Sequence, residues 1–232
     1  MKISNNSDNS SGQGKGGSVR DMASVEISTV AGRIYCLTII GEIEGHTISP
    51  QNSKTTKYEH VIPELVRVEE DDDIDGLLLI LNTIGGDVEA GLAIAELVSS
   101  MKKPTVSIVL GGGHSIGVPL AVSAKQSFIV PSAAMTVHPV RMTGTAITAP
   151  QTFDQMCKLQ DRLIDFVVRN SKISEEKLRA MMLDTKNISN DIGTVIYGDE
   201  AVKCGLIDRL GGLSEALGSI KNAVKNENQQ KI

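Results

Sequence analysis

The sequence predicts an α/β fold of repeated βαβ units, and three observations carry that reading. Residues 76–82 (GLLLILN) and 104–110 (PTVSIVL) are almost continuously apolar, as strands covered on both faces are. Each run leads into glycines and then into a helical stretch. After Pro150 the alternation stops and a single long amphipathic stretch begins.

The elements follow in order. Residues 25–32 (VEISTVAG) and 33–43 (RIYCLTIIGEI) are rich in β-branched and apolar residues and read as strands. A polar loop at 51–54 precedes a predicted helix over 55–70, which Pro63 should end or kink because proline donates no N–H. Residues 88–101 (VEAGLAIAELVSSM) form the helix after the first apolar strand, with alanine and glycine where packing must be close. Residues 127–131 and 134–138 give two more short strands. The long helix spans 151–170, with Met156, Leu159, Leu163, Phe166 and Val167 near one face. Ser174 is placed to cap another helix, whose Glu175 and Glu176 favour its positive end. A short helix from Gly198 is closed by Gly205.

A chain of 232 residues with 41% hydrophobic content can bury one real core. The net charge of −5 and the lack of a clustered basic stripe exclude nucleic acid as a main partner. Cys36, Cys157 and Cys204 are odd in number and show no CxxC spacing. They argue against a zinc site or disulfide framework and fit reduced thiols in a cytoplasmic setting. Residues 1–24 are rich in Ser, Asn and Gly, without the apolar core of a signal peptide, and read as a disordered tail. The domain then occupies 25–222, and 223–232 reads as a polar tail. No stretch reaches the about 18 apolar residues of a membrane span, which leaves peripheral membrane contact open.

Three segments carry candidate chemistry. In ILNTIGGDVEAG a strand meets Gly85 and Gly86 before a helix, so amides there can hold a developing oxyanion, or the glycines can simply turn the chain. In SIVLGGGHSIGVPLAVSA, Ser115 stands where a helix should begin; it is either an N-cap or a nucleophile on a sharp turn. In AAMTVHPVRMTG, His138 closes a strand at the carboxyl edge of the sheet, where a serine would find its base. Adjacent residues entering a helix point about 100° apart, so His114 is poorly placed to serve Ser115 and suits a structural or substrate-facing role. The acids at 69–73 point in different directions and read as a solvated loop, with no metal called for.

These segments together resemble the ClpP-like serine peptidases. NTIGGDVEAGLAI is similar to that family's glycine turn, GGGHSIGVPLAVSAK to its nucleophile segment, MTVHP to its histidine strand and GDEAVKCGLIDRLGG to its C-terminal part. The likeness covers roughly residues 34–213. GEIEGHTISPQNSKTTKYEHVIPELV and GGGHSIGVPLAV resemble its translocation-enhancing branch in particular.

The resemblance implies the ClpP/crotonase-like fold, with a handle of strand plus long helix following His138. It implies Ser115 as nucleophile, His138 as base, and the amides of Gly86 and Ile116 as oxyanion hole, with Gly85 shaping the turn. For the third member, counting back without gaps from IYGDEAV lands on Gly193. A small insertion gives the role to Asp191, with Asp184 and Asp199 as competitors; Asp199 reads more simply as a first-turn helix acid. Homo-oligomeric rings, heptameric and single or stacked, would enclose Ser115 and act as an endopeptidase on peptides or unfolded protein, with no cofactor. Nothing in the chain resembles an ATPase, so folded substrates would require a partner the sequence does not identify. Two other readings stand beside this one: a crotonase-like acyl-CoA enzyme, and a weakly active or inactive ring scaffold for secretion or sporulation.

Overall fold

A computed structural model describes residues 24–50, 52–141, 148–185 and 192–230. Two strands open the chain, β1 (Ser24–Thr29) and β2 (Gly32–Glu44), paired antiparallel through the two-residue turn at Val30 and Ala31. The tail read over 1–24 lies outside the described residues except for Ser24, which already belongs to β1. After β3 (Thr55–Lys57) and α1 (Tyr58–Glu70) come β4 (Gly76–Gly86), α2 (Val88–Ser100), β5 (Thr105–Gly113) and the short α3 (Gly117–Val122). The chain continues with β6 (Gln126–Ile129), β7 (Ala134–Val137), α4 (Ala149–Arg169), α5 (Glu175–Met182), β8 (Thr194–Tyr197), α6 (Gly198–Lys203), β9 (Arg209–Leu210) and α7 (Leu213–Gln230).

The main sheet runs β1-β2-β4-β5-β6-β9, parallel from β2 onward, with β3 beside β2. The covered faces expected from the apolar runs are observed. On β2, Tyr35, Leu37 and Ile39 join the core under α1 and α2, while Ile34 and Cys36 face a second core with Ala216, Ile220 and Val224 of α7. At about 1.5–3 kcal/mol per buried aliphatic or aromatic side chain, these two layers supply most of the force that closes the sheet.

Three boundaries differ from the sequence reading. Residues 55–57 form β3 rather than the first turn of a helix, because Thr56 is buried and its hydroxyl bridges the Ile40 N–H and C=O at 3.0 and 2.9 Å. Helix α1 runs on through Pro63 to Glu70, held to the core by Val61, Leu65 and Val68. The polar tail expected from 223 is instead helical to Gln230. Ala216, Ile220 and Val224 recur every four residues and bury one stripe, so packing overrides the polar composition of the last turns. The other caps follow expectation: Ser174 Oγ accepts from Lys177 N at 3.2 Å, and Gly205 ends α6 at φ 85°. Residues 142–147, where the handle's strand was expected, lie outside the described residues; its long helix is α4.

Candidate active site

The site forms where β4, β5 and β7 deliver their carboxyl ends to one place. Strand β7 leaves the main sheet and pairs parallel with β5 at Gly112–Ala134 and antiparallel with β8. It thereby brings His138 to the turn that follows β5. Beneath that turn Thr83 acts as a polar staple. Its hydroxyl donates to Gly41 O at 2.6 Å and accepts from Gly85 N at 3.0 Å, while its carbonyl accepts from His114 N at 3.2 Å. Asn82 adds a bond from Gly112 N to its Oδ1 at 2.9 Å. Neither residue stands out in the sequence as functional; the only signal is a polar pair ending a buried apolar strand.

Ser115 has φ 57°, the only non-glycine residue with positive φ among the described residues. An L-residue is held in that region at a cost of about 1–2 kcal/mol only where its surroundings enforce it. Here Ser115 N donates to Thr136 O at 2.9 Å, and Gly117 N and Val118 N donate to the His114 and Ser115 carbonyls. The N-cap alternative is not observed: α3 has no side-chain cap, and among the described residues Ser115 Oγ makes no hydrogen bond. The same turn leaves the Ile116 N–H without an acceptor among the described residues, although Ile116 is buried. Gly91 of α2 provides the close approach expected of it, since a side chain there would collide with Ile116.

Gly85 and Gly86 remain in β4, in register with Glu42 and Ile43, rather than forming a free turn. Both have positive φ, 97° and 147°. A Cβ on Gly85 would stand 2.7 Å from the Ser115 Cβ, so its absence makes room for the serine. Ser115, His138, Gly86 and Ile116 line one cavity of about 280 Å³. Its other walls include the apolar Val118, Val140, Leu163, Val167, Leu178 and Met182, together with the charged Arg141. No hydrogen bond joins Ser115 Oγ to His138 among the described residues; His138 Nδ1 donates to Pro139 O at 2.7 Å.

Asp191 lies outside the described residues, as does any contact it makes. Asp199 is a first-turn acid of α6, paired with Lys203, which holds its carboxyl below the usual range. Asp184 accepts from Gly193 N at 3.0 Å through its main-chain oxygen. The acids at 69–73 end α1: Asp71 forms its C-cap and Asp73 pairs with Arg33 at 3.4 Å. Among the described residues no cluster of three or more His, Cys, Asp or Glu could hold a metal, and no helix is long and apolar enough to cross a membrane.

His114 binds Thr136 Oγ1 through Nδ1 at 2.8 Å. Burial lowers its pKa from the ordinary imidazole value. The unfolded ring takes up a proton below about pH 6.5 while the folded ring resists it. The stability His114 contributes is therefore present above that pH and declines as pH falls toward the lower folded value. His114→Gln should flatten this acid-side decline in a urea-melt series, whereas an unchanged slope would place the proton uptake elsewhere.

A parallel crossover sheet with a strained serine and a histidine in one cavity at its carboxyl edge defines a ClpP-like α/β protein. The chain belongs to the Clp protease family, whose profile matches residues 36–212. It is 54% identical over 194 residues to the translocation-enhancing protein TepA of Halalkalibacterium halodurans, covering 84% of this chain and 76% of that one. It is 31% identical over 125 residues to an ATP-dependent Clp protease proteolytic subunit of Lactococcus lactis, covering 51% of this chain and 62% of that one. For the corresponding subunit of Streptococcus pneumoniae the identity is 32% over 127 residues, covering 52% and 64%. The chain thus spans less than two thirds of those subunits.

Proposed function

We propose that this chain is a self-assembling serine endopeptidase, with Ser115 as nucleophile, His138 as general base and the Gly86 and Ile116 amides as oxyanion donors. The observation that carries this reading is the strained Ser115 turn, which leaves both its hydroxyl and the next amide unengaged among the described residues, in one cavity with His138. Ser115 Oγ attacks a peptide carbonyl while His138 Nε2 takes its proton, and the amides bind the oxygen as it gains charge. His138 then returns the proton to the leaving amine, and water releases the acyl group by the same path. Asp191, two residues before Gly193, is the acid proposed to favour the imidazolium. The chemistry needs no ATP of its own.

The aliphatic side of the cavity, at Leu163, Val167, Leu178 and Met182, suits a large aliphatic or aromatic residue beside the scissile bond. Leu163→Trp should fill it and lower kcat/KM for leucine-bearing peptides about tenfold relative to alanine-bearing ones. Equal loss for both would remove the cavity from substrate selection. The name of the TepA relative supports a role connected with protein translocation.

The test is labelling of the purified chain with a fluorophosphonate, with the adduct mapped by mass spectrometry and the assembly state measured in parallel. An adduct on Ser115 supports the peptidase. A ring without adduct supports the second reading, a scaffold, which is favoured by the missing Ser115–His138 hydrogen bond.

A further inference from the structure

Strand β7 brings His138 to the nucleophile turn, yet its pairing on that side is slight. It meets β5 at one residue pair, Gly112–Ala134, whereas β8 pairs with it along its whole length from Ala134 to Val137. Beyond Ala134, the hydrogen bonds that tie β7 to the turn among the described residues are made by Thr136. Its carbonyl accepts from Ser115 N at 2.9 Å, and its hydroxyl is hydrogen-bonded to His114 Nδ1 at 2.8 Å.

Burial alternates along this strand. Met135 and Val137 are buried, while Ala134, Thr136 and His138 are half-buried. The two-residue repeat of extended backbone therefore puts Thr136 on the face that His138 continues.

His114 is anchored at its main chain as well. Its N–H donates to Thr83 O at 3.2 Å, and its carbonyl accepts from Gly117 N at 2.8 Å. Its ring lies over Gly112, where a Cβ would stand 2.8 Å from ring atoms Cδ2 and Nε2. The ring does not line the cavity, so any effect it has on the chemistry passes through the turn. The residue beside the strained Ser115 is thus tied, through its side chain, to the strand that bears the histidine.

We propose that the Thr136 hydroxyl and the His114 ring form a clamp that holds the nucleophile turn and the histidine strand in register, so that Ser115 and His138 reach the cavity together. This rests on the Ser115–His138 reading above. Thr136 and His114 are positioning residues; neither touches the reacting atoms. Without the clamp, the Ser115 N–H to Thr136 bond alone joins the two elements past Ala134, and a shift of about 1 Å between reacting groups can cost about 10²-fold in rate.

The experiment uses the full-length protein and removes the clamp from each side while keeping its shape. Thr136→Val deletes the hydroxyl, His114→Phe deletes the ring nitrogens, and Thr136→Ser restores the hydroxyl. Fluorophosphonate labelling, kcat and KM for a peptide, and hydrogen exchange at the Ser115 turn are measured for each and for the Val/Phe double variant. Thr136→Val and His114→Phe are expected to label about 10–100-fold more slowly, with kcat reduced, KM little changed and faster exchange at the turn. Thr136→Ser should label within about threefold of wild type. The double variant should be no slower than the slower single one, because both remove the same bond. Labelling of both single variants within threefold of wild type, or losses that multiply in the double variant, overturns the proposal. If the wild type takes no adduct, exchange decides. Faster exchange in both single variants then defeats the peptidase reading and leaves the clamp standing, whereas unchanged exchange defeats both.

Discussion

Ser115→Ala should remove the fluorophosphonate adduct, and Ser115→Ala and His138→Ala should each lower peptide hydrolysis by about 10⁶-fold. The two effects are not additive, because the base has no function without the hydroxyl it deprotonates. The fold should survive both. Alanine at φ 57° bears nearly the strain that serine does, and Ser115 Oγ makes no hydrogen bond among the described residues. Ser115→Gly separates conformation from chemistry: it relieves the left-handed strain, adding about 1 kcal/mol of stability, while abolishing the adduct. Melting and labelling of the three variants read this directly. Hydrolysis persisting in Ser115→Ala would assign the reaction to another residue or a contaminant.

Gly86→Ala should produce the largest loss of stability of any single methyl group added near the site. Gly86 pairs with Ile43 at φ 147°, and a Cβ would be driven onto the Ile43 carbonyl and to 2.6 Å from its nitrogen. Neither obstacle is a flexible side chain. Either β2 and β4 separate, breaking ladder bonds, or Gly86 abandons the left-handed region and carries its amide out of the site. The expected cost is about 3 kcal/mol or more, a fall in melting temperature of about 6–12 °C for a chain of this size. Labelling of the folded fraction should fall too. Gly218→Ala is the control: it lies in α7, where among the described residues a Cβ would meet nothing outside its own helix within 4 Å, and should be neutral or gain up to about 1 kcal/mol. A melt of Gly86→Ala that matches wild type would show that the β2–β4 spacing relaxes freely.

The site was legible in unequal parts. The runs at 76–82 and 104–110 announced buried parallel strands, and the glycines after them marked where the chain passes close to other backbone. Ser115 and His138 were legible only as members of a family pattern, since a serine at a helix start and a histidine at a strand end each have commoner structural uses. The acid was not legible, because Gly193 occupies the counted position and packing against His138 decides what fits there. Thr83 and Thr136 were missed because their roles are hydrogen bonds to residues distant in sequence: Gly41 for one, His114 and Ser115 for the other.

By itself the sequence determined the α/β class, the order of nearly all the elements and the residues able to do chemistry. Those follow from local periodicity, from caps such as Ser174 and from the continuous burial of the central strands. The tertiary structure alone decided that residues 55–57 form a strand, that α7 continues through Val224 to Gln230, and that Ser115 is held left-handed by Thr136. It also decided that His138 is turned toward Pro139. Each of these depends on a partner far along the chain or on exact backbone placement, and local periodicity specifies neither.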